Sequence, residues 1–396
     1  MRVRAFFRLV APRYRALNTP PFVVGAVTGG AAIAVYLPLG IAAIFAWAIT
    51  QELANKLTDR SEDAVDYPER GRLYELVGHR NLQRLFALAI VVFAALWSAM
   101  LVFADAPWRV LVGWGLLTAW AVGYSFGPRI RERAHADPRN RRRHVRILFT
   151  IGALWFGVLI LFDAPLGVFV ASAILFGIPD YLTGPRMKER KYSGLLLIAA
   201  APPLFLQMGW RYSDDPVTAP FLAAIALLLV AGVSLMFAKD SPNVDGDASI
   251  GYRSIYLRLK GADGAWRTRL LVSLPYLLAV TLVATGTVGT SYLMVLFAAP
   301  AGIAFCRAMA RAGSQEEREV VRELGALNKI AITNAILFSF SPAPLTAALA
   351  VGAFAWYLSC TWWLHSEPGM LDRRRLAIAA GLAIGRTPER APTFGH

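Results

Sequence analysis

Two stretches of this 396-residue chain gather carboxylates at spacings that suit metal chemistry. The first is NKLTDRSEDAVDYPER, residues 55–70. Asn55, Asp59 and Asp63 stand at i, i+4 and i+8, and at about 100° per residue they fall within about 80° of arc on one helix face. The second is KDSPNVDGD, residues 239–247. As a helix it sets Asp240 and Asp247 about 20° apart in azimuth with Asn243 beside them, and Pro242 and Gly246 make that helix irregular. Two such clusters facing one another would repel unless cations bridged them. Oxygen ligands without nitrogen or sulfur suit hard ions, magnesium above all. Arg60, Arg70, Lys239 and Arg253 lie in or close to the same stretches and have the chemistry to hold phosphate oxygens. The competing reading is a pair of solvated, charge-balanced loops.

The elements around these stretches are apolar. Hydrophobic residues make up 56% of the chain and charged ones 17%, against about a quarter charged in a soluble domain. The mean hydropathy is +0.47. This composition excludes both an ordinary soluble globule and a disordered chain. A bilayer-spanning helix needs about 20 mostly apolar residues, and such runs recur. Helices are predicted over 20–36, 39–56, 81–104, 107–125, 146–162, 165–182, 193–210, 219–239, 268–287, 291–310, 328–341 and 344–364. The fold class is thus all-α, a polytopic transmembrane bundle of about 10–12 helices. Pro38 is expected to separate the first two helices, and Pro342 and Pro344 the last two.

Basic residues alternate between loops. PERGRLYELVGHRNLQR, PRIRERAHADPRNRRRHVR, GPRMKERK and YRSIYLRLKGADGAWRTR are rich in arginine and lysine, whereas the intervening loops carry only Arg109 and Arg211. By the positive-inside rule the basic loops, both acidic stretches and both termini are cytoplasmic. The net charge of +15 therefore reports topology, and no nucleic-acid recognition module accompanies it. Residues 1–19 read as a basic interfacial arm, 20–366 as the membrane domain, and 367–396 as a cytoplasmic tail, interfacial and then disordered. Cys306 and Cys360 read as buried apolar residues, and the five histidines have no metal-ligand spacing.

The first stretch resembles the NxxxDxxxD signature of the UbiA superfamily of intramembrane prenyltransferases, extended through Arg60, Ala64, Pro68 and Arg70. The second, KDSPNVDGDASIGYRSIYLRLKG, is similar to that family's second aspartate motif at Lys239, Asp240, Asp247, Gly251, Arg253, Leu257, Arg258, Leu259 and Gly261. A third family element resembles both YSFGPRIRER from Tyr124 and YLTGPRMKER from Tyr181. These two copies suggest a UbiA-like bundle with an extra helix pair. The second copy, with Lys188, is the better candidate to reach the site. Two residues depart from the pattern: Asn243 replaces an aspartate of the second motif, and Asp66 stands where a small polar residue is common.

The resemblance implies Mg2+-dependent ionisation of an allylic isoprenyl diphosphate and transfer to a second substrate, often an aromatic or quinone precursor. Asn55, Asp59, Asp63, Asp240, Asn243 and Asp247 would hold the metal, and the four aspartates would carry catalysis. Arg60, Arg70, Lys188, Lys239 and Arg253 would bind diphosphate, with Tyr124 and Tyr181 lining the cavity. The expected location is a bacterial inner membrane, the partner being the lipid bilayer itself. Two other readings remain open: a UbiA-type terpene cyclase, and a secondary transporter, which would place charges mid-span.

Overall fold

The computed structural model describes residues 2–10, 16–30, 33–58, 68–103, 111, 114–115, 118, 199, 201–210, 218–244, 256, 259, 261–363 and 372–384. About 92% of it is helical, with no strand among the described residues. The predicted helices 107–125, 146–162 and 165–182 fall almost wholly outside this set.

The chain opens with α1 (Arg2–Val10), α2 (Thr19–Thr28), α3 (Ile33–Thr58), α4 (Pro68–Val77) and α5 (His79–Val102). It continues with α6 (Ala201–Trp210), α7 (Ala219–Leu235), a 3-10 segment (Met236–Asn243), α8 (Gly261–Ala284) and a second 3-10 segment (Thr290–Ala298). The last elements are α9 (Ala299–Arg311), α10 (Gln315–Phe340), α11 (Pro344–Trp363) and α12 (Arg373–Ile384). Five stretches among the described residues are long and apolar enough to cross a bilayer: Val35–Ala54, His79–Val102, Ala219–Lys239, Gly264–Ala284 and Thr290–Arg311. They differ in what covers them. Along α5, Leu88, Ile90, Val91 and Val92 are exposed, as suits contact with lipid. Along α7, Phe221, Ala224, Leu227, Leu228 and Ala231 are buried, so the helix leading into the second acidic stretch runs through protein.

Several boundaries differ from expectation, among them the start of α8, which falls at Gly261 and not at 268. Pro38 lies inside α3. A proline removes one backbone donor, and the helix continues across it. The break falls earlier, at Gly29 and Gly30, where Gly30 adopts φ 70°, a conformation open to glycine. The predicted helix 328–341 is also only the second half of α10, which begins at Gln315. Its start is a capping box: Ser314 Oγ accepts from Glu317 N, and the Glu317 carboxylate accepts from Ser314 N at 2.9 Å. This reciprocal cap lets a charged segment nucleate a helix.

Glycines set the closest helix contact. A side chain on Gly25 of α2 would strike the Leu206 carbonyl, and one on Gly209 of α6 the Phe22 carbonyl. Small residues here let the two backbones meet, as membrane helices commonly do.

Candidate active site

The first acidic stretch is framed by two helices. Asn55 stands in the last turn of α3, and Arg70 in the first turn of α4, whose first residue is Pro68. Pro at that position loses nothing, because its missing N–H would have had no helical partner. Asp59, Arg60 and Asp63 lie between, outside the described residues. The frame is apolar: Leu9 and Val10 of α1 join Leu53 of α3, Leu73, Tyr74 and Val77 of α4, and Leu82 of α5 in one buried cluster. Val3 and Phe7 on the other side of α1 are exposed, giving the N-terminal helix one protein face and one open apolar face.

The second stretch is built differently. At Met236 the α7 helix tightens into the 3-10 segment, which carries Lys239, Asp240 and Asn243. Residues three apart eclipse in a 3-10 helix, so Asp240 and Asn243 share one edge by register. The geometry is tighter than the irregular α-helix expected from the sequence. Ser241 Oγ stands between two carbonyls, within 2.8 Å of Ala238 O and 2.7 Å of Arg318 O on α10. Gln315 Nε2 donates to Pro242 O at 2.8 Å. Lower down, Gly325 of α10 faces Ala238, and a Cβ there would approach the alanine methyl to 2.5 Å. The segment's backbone is thus held by polar contacts from α10.

Sequence reading missed α10's contribution. Arg318, Arg322, Glu323, Asn328 and Lys329 are all buried. Arg322 donates to Glu323 Oε1, and Tyr357 Oη of α11 donates to Glu323 Oε2 at 2.6 Å. The one local signal was the S-x-x-E pattern at 314–317, which marks a helix start inside an apparently solvated loop. Tyr256, in the tail of the second stretch, is wholly buried near Arg318, and burial pushes its hydroxyl up to about 12. Burial also raises the Glu317 carboxyl. The Ser314 and Gly313 N–H groups and the Ser314 hydroxyl outweigh this and hold it below the ordinary value.

The far side of α10 is braced by α12. Arg374 pairs with Glu316 at 2.7 Å, and Arg375 pairs with Glu319. Arg311 Nη1 donates to Leu382 O at 2.7 Å, and Arg307 Nη1 to Ala383 O. These arginines satisfy carbonyls at the end of α12 that the helix itself leaves open. Ile378, Ala379 and Leu382 join the main core.

Asp247, Arg253, Lys188, Tyr124 and Tyr181 lie outside the described residues, and Asn55, Arg70, Asp240 and Asn243 are placed by their backbones. Among the described residues no group of three or more His, Cys, Asp or Glu side chains is positioned to hold a metal. The donors of the two stretches are carboxylate and amide oxygens alone, a set that fits magnesium.

A bundle of apolar helices, with five stretches among the described residues long and apolar enough to cross a bilayer, is the architecture of an integral membrane protein. The UbiA prenyltransferase family matches residues 125–330, more than half of the chain. The chain belongs to that family and is an integral, multi-pass membrane protein. The match includes the second acidic stretch and the whole element from Tyr181, while the first acidic stretch lies outside it. One solved structure, described as giving structural and mechanistic insights into the biosynthesis of digeranylgeranylglyceryl phosphate synthase in membranes, is similar over 86% of this chain and 99% of its own. It shares 13% identity, with a TM-score of 0.46. No curated protein matches the chain.

Proposed function

We propose that this prenyltransferase ionises an allylic isoprenyl diphosphate at the cytoplasmic rim of the bundle and transfers the prenyl group to an aromatic or quinone-type acceptor. The observation that carries this reading is the second acidic stretch. It lies within the family match, closes a span buried in protein, and is pinned by Ser241 and Gln315 to α10.

In the reaction the allylic C–O bond breaks, and its electron pair leaves with the diphosphate. The acceptor's π electrons form the new C–C bond, and the acceptor then loses a proton. Asn55, Asp59, Asp63, Asp240, Asn243 and Asp247 would hold magnesium, which supplies charge neutralisation to the leaving group. Arg60, Arg70, Lys188, Lys239 and Arg253 would bind the diphosphate oxygens and orient them for departure. The apolar bundle, with Tyr124 and Tyr181, would receive the isoprenoid tail and exclude water from the cation.

The test uses the full chain in detergent with magnesium and prenyl diphosphates of ten to twenty carbons. Product formed only when a phenol or quinone precursor is added supports transfer. A cyclic hydrocarbon or alcohol formed without acceptor replaces transfer with cyclisation. Pyrophosphate release in neither case overturns the proposal. Asn243→Asp restores a carboxylate to the 3-10 edge beside Asp240 and is expected to lower the magnesium concentration giving half-maximal rate. An unchanged requirement removes residue 243 from the metal site.

A further inference from the structure

The polar support of the second acidic stretch starts from one side chain. Arg318, buried in the first turn of α10, donates from Nη1 to the Gly313 carbonyl at 3.0 Å and from Nη2 to Gln315 Oε1 at 2.7 Å. A guanidinium only donates, and a carbonyl only accepts. With its oxygen taken by Arg318, Gln315 must turn its NH2 group to the Pro242 carbonyl, which it meets at 2.8 Å. The Arg318 main chain reaches the same segment, its carbonyl lying 2.7 Å from Ser241 Oγ. Ser241 and Pro242 are the two residues that separate Asp240 from Asn243.

That interval needs support from outside. Pro242 lies within the 3-10 segment and has no N–H to give its ladder. A guanidinium is costly to bury, and an apolar side chain would serve the packing of α10 as well. What the planar fork adds is direction, because it fixes which end of the Gln315 amide meets the segment.

We propose that Arg318 and Gln315 are positioning residues: the Arg318 fork aims the Gln315 amide at Pro242, and with the Ser241 contact this fixes the interval between Asp240 and Asn243. This rests on the reading above that those two residues hold magnesium for ionisation of a prenyl diphosphate.

The test is Gln315→Glu in the full chain in detergent. The ionised variant keeps its pairing with Arg318 and suits the N-terminus of a helix, but it has no N–H to offer Pro242. Its negative charge alone would strengthen a nearby cation site and lower the magnesium concentration giving half-maximal rate. Lost positioning acts the other way and should raise that concentration by about fivefold. Hydrogen exchange across residues 236–244, followed without magnesium or substrate, should quicken. Gln315→Met, which removes both bonds without adding charge, should give the same two changes, and it replaces the Glu variant if that one is inactive. Arg318→Lys keeps the charge, loses the fork and should give both changes more weakly. A purely structural contact would move the melting temperature and leave the magnesium midpoint in place. A midpoint unchanged or lowered, or exchange as slow as in the parent, overturns the positioning role and leaves the proposed function standing. A parent chain that turns over no prenyl diphosphate overturns both.

Discussion

The two acidic stretches both rest on apolar packing, and they differ in the hydrogen bonds added to it. Around the first, contacts are hydrophobic: α1 lies across α3 and α4, and Leu9, Leu53, Leu73 and Tyr74 exclude water beneath the helix ends. Around the second, the apolar contacts of Phe237 and Ala238 are joined by polar ones, with Ser241 and Gln315 linking the 3-10 segment to α10. Hydrophobic burial is non-directional and fixes an element only by its shape, whereas a hydrogen bond to a carbonyl fixes a particular peptide in place. The second stretch should therefore be the more rigid, and the first the more tolerant of small displacements.

The sharpest way to break this comparison is to remove the carboxylates themselves. Asp59→Ala and Asp240→Ala should each lower magnesium-dependent turnover by about 10²-fold or more, with the protein still folded in detergent, since Asp59 follows the end of α3 in sequence and Asp240 lies past the end of α7, in the 3-10 segment. Full activity in either variant would remove that stretch from the site. Next in size is Leu9→Ala, which empties part of the apolar frame. It should cost about 2–5 kcal/mol by chemical denaturation in mixed micelles, and it should affect the α1–α3–α4 region first in hydrogen exchange. Ser241→Ala should cost only about 1 kcal/mol but reduce turnover more than its stability loss explains, because it frees the backbone that carries Asp240. Equal protection of both stretches in hydrogen exchange, before and after that substitution, would contradict the proposed difference in rigidity.

The smallest effect is pH-dependent. The folded carboxyl of Glu317 is held below its ordinary value, so the stability it gives the α10 cap is present above the unfolded-state value of about 4.3 and lost as pH falls through the folded value. The difference in melting temperature between the parent chain and Glu317→Gln should be largest near neutrality and shrink on acidification. A constant difference would show that the cap does not depend on the charge.

Much of the architecture was legible locally. The predicted helix 81–104 corresponds to α5 at 79–102, and 344–364 to α11 at 344–363, because an unbroken apolar run flanked by breakers allows few other conformations in a bilayer. The break around Pro342 and Pro344 also falls where expected, with Pro344 opening α11. Pro38 misled, because a proline weakens a helix by one hydrogen bond and tertiary packing can hold the remainder. Residues 315–327 misled more, since their charges read as a cytoplasmic loop.

What the sequence determined by itself was chemical type and local period: apolar spans, carboxylates at helix-compatible spacing, basic residues beside them, and the motif resemblance to a family that the profile match independently shows. What only the tertiary structure decided was the use made of α10. Arg318, Arg322, Glu323 and Lys329 belong to the site's surroundings because α10 packs along the 236–243 segment, with Tyr357 of α11 closing over Glu323. Charge, helix propensity and spacing are properties of neighbours along the chain. The burial of a charge is set by partners that are tens of residues away in sequence, and no local pattern encodes them.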